Sequence, residues 1–582
     1  MIYNKFLFFV TFSIILILSA KAQNKDTAVL HNEEIFVIKT YEPTVIEAEK
    51  LSNDPQIKDT FNLNRNVNFR ILAPHFKTVF NIDTIKPLKV GGESLTKLYN
   101  SYLKLGFGNY TTPLAELYIN NLRSKKFNAG GYIKHLSSKG KIKETYYPEY
   151  SNNSAGVYGK KYNKNYILSG NIDFERNVLN YYGYDENFSD LIRPQFDLIK
   201  KNDFKQYFWG LNTKVGIANN APDTGKINYK TQIAHYIYAD NYDLTENNYK
   251  ISNNINKINK RNSTFDNYTY GINLDFNYNK DKNKDTANKT TREESVLFGQ
   301  PYFSINKDAV SILVGLNNYV SFKNNNSNYY FSPELNVSFN VSDIFVPYGG
   351  VSGKYEQLTY KSITQENPYF IYNDSIESPN KKISFFGGIK GNITPKIYYN
   401  FSADLSQYDN MYFFVNPENN IANNQFSLTY SNADILKLKG SVNFLIKDKI
   451  NCGIEGVFYN YSLDDTIEAW QKPTLDIGLF SEYRINKKVT VKGTFMYKGE
   501  RAFRFAETVI NTMDTINPPF SIKYNNNKLK PYLDFNLSCE YRYSNVISAF
   551  VNINNFTNGR NYFWGNYPSQ KLNFIIGVTY SL

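Results

Sequence analysis

The chain has 582 residues, a formal net charge of +13, and 50 Tyr and 43 Phe against only 3 Trp. Aromatic residues make up 16% of it, yet its mean hydropathy of −0.49 is that of a polar protein. Lysine and arginine are scattered rather than gathered on one face, which excludes a nucleic-acid-binding patch and makes an anionic membrane surface the natural partner of the charge.

Met1 to Ala22 reads as a secretory signal peptide. Lys5 supplies the positive start, Phe6 to Leu18 the apolar run, and Ala20-Lys21-Ala22 the small-residue cleavage site before Gln23. Its removal takes two lysines and no acid, so the charge falls from +13 to +11. Polar residues interrupt every later apolar segment, so no helical span follows. An exported chain of this kind that crosses a membrane must do so as a closed barrel.

Residues 23–97 form a region of different composition. It is rich in Asn, Asp and Lys, it is broken by Pro43, Pro55, Pro74 and Pro87, and its only glycines are Gly91 and Gly92. The prolines disfavour long helices and central strands, which predicts an extended periplasmic arm that reaches into the lumen. Two parts of it stand out. Glu33, Glu34, Ile35, Phe36, Val37 and Ile38 make a short apolar patch behind two acids. Further on, Ile71, Leu72, Phe76, Val79, Phe80 and Ile82 carry enough apolar surface to dock on a wet wall and offset the entropy of ordering the arm.

From Leu98 onward, alternating segments follow one another. Leu168, Ile172 and Phe174 oppose Ser169, Asn171 and Asp173; Val310, Ile312, Val314 and Leu316 share one face, as do Val489, Val491, Phe495 and Tyr497. Period two places such sets on opposite faces of a strand. Tight connections at 163–165, 307–308, 342–343, 394–395, 447–449, 486–487 and 544–545 alternate with long polar ones at 177–202, 361–380, 409–422, 463–472, 502–528 and 558–570. Short turns on one rim and long loops on the other predict an all-β fold. It is a transmembrane antiparallel β-barrel of about 22 strands over 98–582, with 424–448 a single strand kinked near Asn432 and both ends at the periplasmic rim. The long connections are expected to form the exposed outer surface. The last strand, which closes the barrel, puts Leu572, Phe574, Ile576, Val578, Tyr580 and Leu582 on its lipid face, with Ile575 the exception among small or polar residues opposite.

Catalytic chemistry is not expected. His31, His75, His135 and His235 share no metal-ligand spacing, no glycine loop cradles a phosphate, and Asp281 to Asp285 reads as a solvated charged loop. Cys452 and Cys539 are too few for a disulfide framework, and Cys539 falls on the outward face of its strand, so no bridge, cofactor or metal is predicted.

Phe550-Val-Asn-Ile-Asn-Asn-Phe-Thr-Asn558 resembles the penultimate strand of TonB-dependent receptors. Trp564-Gly-Asn-Tyr-Pro568 with Lys571 to Leu582 resembles their closing loop and strand, Leu582 standing where the family usually ends on Phe. Tyr41-Glu-Pro-Thr44 and the stretch Leu105 to Thr112, LGFGNYTT, resemble the arm and first strand of a flavobacterial outer-membrane branch of that family. The resemblance implies an outer-membrane barrel that serves transport or uptake. It also implies that Glu33 to Ile38 acts as the peptide a TonB-type energiser captures by strand addition. The family's globular plug has no counterpart of comparable size or glycine content before residue 98, so the plug is missing or reduced. The alternative function is a non-transporting barrel scaffold, a subunit of a larger envelope assembly with an outer-membrane or periplasmic partner protein. Either way the surrounding partners are outer-membrane lipid and lipopolysaccharide.

Overall fold

The computed structural model describes residues 98–582 apart from 144, 185–203, 261–266, 285–289, 308, 325, 373–375, 418–423, 447–448, 465–467 and 511–519. Glu33 to Ile38 and Ile71 to Ile82 of the arm lie outside the described residues.

The first strands are β1 (Ser101–Gly108), β2 (Thr112–Asn120), β3 (Phe127–Ser138), β4 (Tyr150–Tyr162), β5 (Tyr166–Asn180), β6 (Lys205–Asn219), β7 (Ile227–Ala239) and β8 (Leu244–Lys260). Next come β9 (Asn267–Asn283), β10 (Thr291–Lys307), β11 (Val310–Lys323), β12 (Asn326–Phe339) and β13 (Val346–Tyr355), then the helix α1 (Tyr360–Glu366). After it follow β14 (Asn380–Thr394), β15 (Ile397–Val415), β16 (Ser427–Ile446), β17 (Ile450–Leu463), β18 (Leu475–Arg484) and β19 (Val489–Lys498). The chain ends with β20 (Arg501–Ile510), β21 (Phe520–Leu529), β22 (Tyr532–Arg542), β23 (Ile547–Asn554), β24 (Tyr562–Trp564), β25 (Tyr567–Pro568) and β26 (Asn573–Ser581).

Twenty-two of these strands form one sheet, and the pairs β20–β21 and β24–β25 are separate hairpins within connections. Each barrel strand pairs antiparallel with its neighbours, and β26 returns to β1 in a register that sets Tyr102 against Ser581 and Gly108 against Ile575. The predicted barrel of about 22 strands is met. Closure leaves no edge, which is what a backbone in lipid requires. No helix among the described residues is long and apolar enough to cross a membrane.

Alternation sorts the two faces. On β26, Phe574, Ile576, Val578 and Tyr580 are exposed while Ile575 and Thr579 are buried. Phe107, Ile133, Val157, Val215, Phe331 and Phe385 are likewise more than half exposed. In a sheet closed on itself, an apolar outer belt of this kind faces lipid, which makes the chain an outer-membrane barrel. Ile575, the odd apolar residue on the inner face, has a local reason. A Cβ added at Gly106 or Gly108 would stand 2.8 and 2.9 Å from its side chain, so the two glycines of β1 make the room it fills.

The rim that carries both ends has the tight turns, such as the one from β4 to β5. The far rim has most of the long connections, yet 109–111 and 240–243 there are short. Several expectations are corrected. The stretch LGFGNYTT is not one strand but the end of β1, a turn with Tyr110 and Thr111 at φ 56° and 52°, and the start of β2. Residues 409–415 belong to β15, 361–380 holds α1, and 502–528 lies largely within β20–β21. The kink sought near Asn432 is a bulge in its partner: Tyr408 pairs with Ala433 and Met411 with Ser431, with Asn410 between them at φ 53°.

Candidate functional site: a lid of loops across the far rim

The largest apolar core of the described barrel is not in its wall. It gathers Phe208, Tyr238 and Leu244 from β6–β8, Phe414 and Leu428 from β15–β16, and Phe426 just before β16. The connections add Leu358, Tyr360, Ile363, Phe370, Ile376 and Tyr567. Every wall residue in this set lies within a few positions of the far rim, and β6–β8 stand well around the sheet from β15–β16. The connection 356–379 therefore reaches from β13–β14 over the lumen to β6–β8, about a third of the way around the sheet. Ile363, Phe370 and Ile376 in it are fully buried, which contradicts the reading of 361–380 as exposed loop surface.

Its helix is seated by polar contacts. Thr359 caps the start and Ser362 answers it in a capping box. The first free N–H groups of α1 then find an external acceptor: Tyr360 N donates to Glu246 Oε2 (2.6 Å) and Lys361 N to Glu246 Oε1 (3.2 Å). Tyr360 Oη donates to Asp240 Oδ2 (2.7 Å), and Thr364 shares a hydrogen bond with Tyr238 (3.0 Å). Lys361 Nζ meets Glu175 Oε1 at 2.7 Å and Asn212 Oδ1 at 2.6 Å, 4.8 Å from the centre of the Tyr236 ring.

Both roots of the connection are tied to one buried ion cluster. Arg292, 3% exposed, pairs with Asp281 (2.8 Å) and Glu294 (3.0 Å) and donates to the Leu358 carbonyl (2.7 Å). Ser378 Oγ donates to Glu294 (3.0 Å) and accepts from Leu358 N (3.0 Å), and Tyr355 Oη donates to Glu294 (2.6 Å). Asp281, read from sequence as part of a solvated loop, is on β9 and fully buried, because Arg292 on β10 faces it across the ladder.

Other connections lock onto the first. Ile371 N donates to the Phe426 carbonyl and Phe426 N to the Tyr369 carbonyl, a short bridge between 356–379 and 416–426. The Tyr567 ring stacks on Tyr369 (3.4 Å between centroids) and meets Tyr182 edge-on (5.0 Å), and its hydroxyl donates to the Asn424 carbonyl. Trp564 packs edge-on against Phe414 at 5.1 Å. Arg501 on β20 donates to the Phe563 carbonyl (2.6 Å), and Lys472 pairs with Glu366 (2.7 Å) at the end of α1. Burial raises the hydroxyl pKa of Tyr360, Tyr369 and Tyr567 well above the usual phenol value, and that of Tyr182 to about 12, so these groups stay neutral donors. Burial also holds the Asp240 carboxyl above its ordinary range, against the pull of hydrogen bonds from Tyr360, Leu244 N and Tyr242 N.

Sequence reasoning missed this lid. The signal for it was Pro368 to Tyr372, PYFIY, which is too apolar for a solvated loop. Of the residues singled out from sequence, the even-numbered ones from Phe574 to Tyr580 lie on the outer face of β26, with Leu572 and Leu582 flanking it. His135 sits on β3, 2.7 Å from Asn153, and His235 on β7, stacked on Tyr249. The two do not meet, and among the described residues no three acidic, His or Cys side chains are placed to hold a metal. Cys452 and Cys539 are both free.

No family model and no curated protein matches the sequence. The fold is similar to the receptor FpvA of Pseudomonas aeruginosa bound to a pyoverdine, with TM-score 0.61 and 12% identity over 84% of this chain and 72% of that one. It is similar to the siderophore receptor PirA of Acinetobacter baumannii (0.60, 12%, 84% and 81%) and to the ferric enterobactin receptor PfeA of P. aeruginosa (0.56, 11%, 83% and 80%). The barrel thus resembles that of TonB-dependent receptors, at an identity that speaks for fold alone.

Proposed function

We propose that this protein is a receptor-like barrel that takes up cargo across the outer membrane, with Glu33 to Ile38 as the segment a TonB-type energiser captures and the apolar residues Ile71 to Ile82 docking the arm in the lumen. The observation that carries this reading is where closure lies. A wall of 22 strands encloses more space than its own side chains fill. What spans the far rim is made of connections, the parts of a barrel that can move while every ladder bond stays intact. The likeness to siderophore receptors supports the same reading. Cross-linking in cells from a cysteine placed at Phe36 tests it. A TonB adduct is expected, lost when Glu33 to Ile38 is deleted although the barrel still assembles; no adduct at any position of that segment overturns the energised reading.

A second reading is a scaffold in a larger envelope assembly, which the mutual locking of the connections favours. It predicts that the deletion changes nothing and that stoichiometric partners leave the outer membrane with the barrel on affinity purification.

A further inference from the structure

The seat of α1 is acidic and aromatic in a chain whose net charge is +13. Glu175, Asp240 and Glu246 converge there from β5, the β7–β8 turn and β8, and Phe208, Tyr236 and Tyr238 supply the rings. All of these groups are on strands or a tight turn. What fills the seat belongs to a connection. Lys361 Nζ is held as a bound ammonium would be, by one carboxylate, one amide oxygen and two ring faces, Tyr236 at 4.8 Å and Tyr238 at 5.5 Å. Beside it, the Tyr360 ring lies 6.3 Å from Phe208 and 6.0 Å from Tyr238, with its hydroxyl on Asp240. Glu175 is the carboxylate that meets this ammonium, and together with the Asn212 amide oxygen and the two ring faces it draws a cation in and repels an anion.

We propose that this wall is a ligand seat for a cation carried next to an aromatic ring, and that Tyr360-Lys361 is the chain's own occupant, an autoinhibitory contact that such a ligand displaces. The proposal rests on the uptake reading in that the ligand arrives at the far rim. It makes a prediction that reading does not: the preferred cargo is cationic, of amine or guanidine type, and not an anionic chelate.

The test uses the full-length protein in detergent micelles, with fluorescently labelled Tyr-Lys amide as probe and Tyr-Glu amide as control. Lys361→Ala removes the tethered competitor, whose effective concentration is in the millimolar range, so Tyr-Lys amide should bind about ten-fold tighter than to the wild type or better. Adding Glu175→Gln should cancel that gain, and Tyr-Glu amide should bind neither. Equal binding of the two dipeptides, or no gain in Lys361→Ala, overturns the proposal. Should that variant fail to fold, the wild type in planar bilayers decides. Tyr-Lys amide on the lid side should raise the frequency of openings and Tyr-Glu amide should not; identical traces overturn it. Binding and opening without accumulation in cells would leave the seat standing and remove the uptake reading, whereas accumulation of a cargo that ignores the seat would do the reverse.

Discussion

Arg292→Met should unlatch the lid and leave the barrel intact. The guanidinium pairs with two carboxylates and holds the Leu358 carbonyl, one residue before the cap of α1, while its partner Glu294 holds Ser378 at the other root. Methionine fills the space but strands Asp281 and Glu294 as buried charges with no cation between them. Removing one partner of a buried pair costs about 3–5 kcal/mol. At about 1.4 kcal/mol per factor of ten, the closed-to-open ratio should fall by about two to three and a half powers of ten. The backbone ladder keeps its bonds at Arg292, and the stranded carboxylates of β9 and β10 regain water when the connection lifts, so this cost falls on the closed state. Limited trypsin digestion in micelles, read by mass spectrometry at the Lys361–Ser362 bond, reports the open population while cleavage is slower than reclosing. The variant should be cut there at least about a hundred-fold faster at unchanged heat-modifiability on gels. Glu294→Gln in the same chain should recover part of the protection. A rate within about threefold of wild type would refute the idea that this cluster anchors the lid.

Asp240→Asn tests the pH dependence. A carboxyl whose pKa is raised by burial holds its proton more tightly in the closed state. It therefore stabilises the lid below the ordinary carboxylate value, and that contribution is lost as pH rises from there through the raised one. Opening frequency in planar bilayers should increase over that window in the wild type and change less in Asp240→Asn; coincident pH profiles would count against it. Gly577→Val should stop the seam from closing, since a Cβ at Gly577 would strike the Leu105 carbonyl and the Phe550 ring. With backbone on one side there is no room to relax, and the cost should exceed about 2 kcal/mol, seen as loss of the heat-modifiable form. Removing Asn66 to Lys86 should give a large steady conductance only when combined with Arg292→Met; a steady pore from the deletion alone would show that the lid does not seal.

The wall was legible from sequence because lipid on one side and water on the other write a period of two into each strand. Val310 to Leu316 and Lys571 to Leu582 declare their faces without any partner, and tight turns such as 163–165 mark the strand ends. Nothing comparable marks the lid. The burial of Phe370 depends on Phe426, and that of Tyr567 on Tyr182 and Tyr369, which are remote in the chain and follow no periodicity. Asp281 looked solvated for the same reason: its local run is charged, and only its cross-strand neighbour Arg292 tells that the charge is neutralised. The seam shows both cases at once. The outward set on β26 could be read directly, but the need for Ile575 opposite it could not, since the space it fills is made by glycines of β1.

That seam also sets a timetable. Every other strand of the sheet can be laid down beside one that precedes it closely in the chain, but β1 must wait for β26 to satisfy its second edge. Until then Ser101 to Gly108 presents unpaired amides and the apolar face of Leu105 and Phe107, a template for any stray strand. Because loop-closure entropy is spent before such a distant pairing returns anything, seam formation should be the slow, committing step of assembly. The nascent barrel must spend that interval shielded, in the care of whatever machinery delivers it to the membrane.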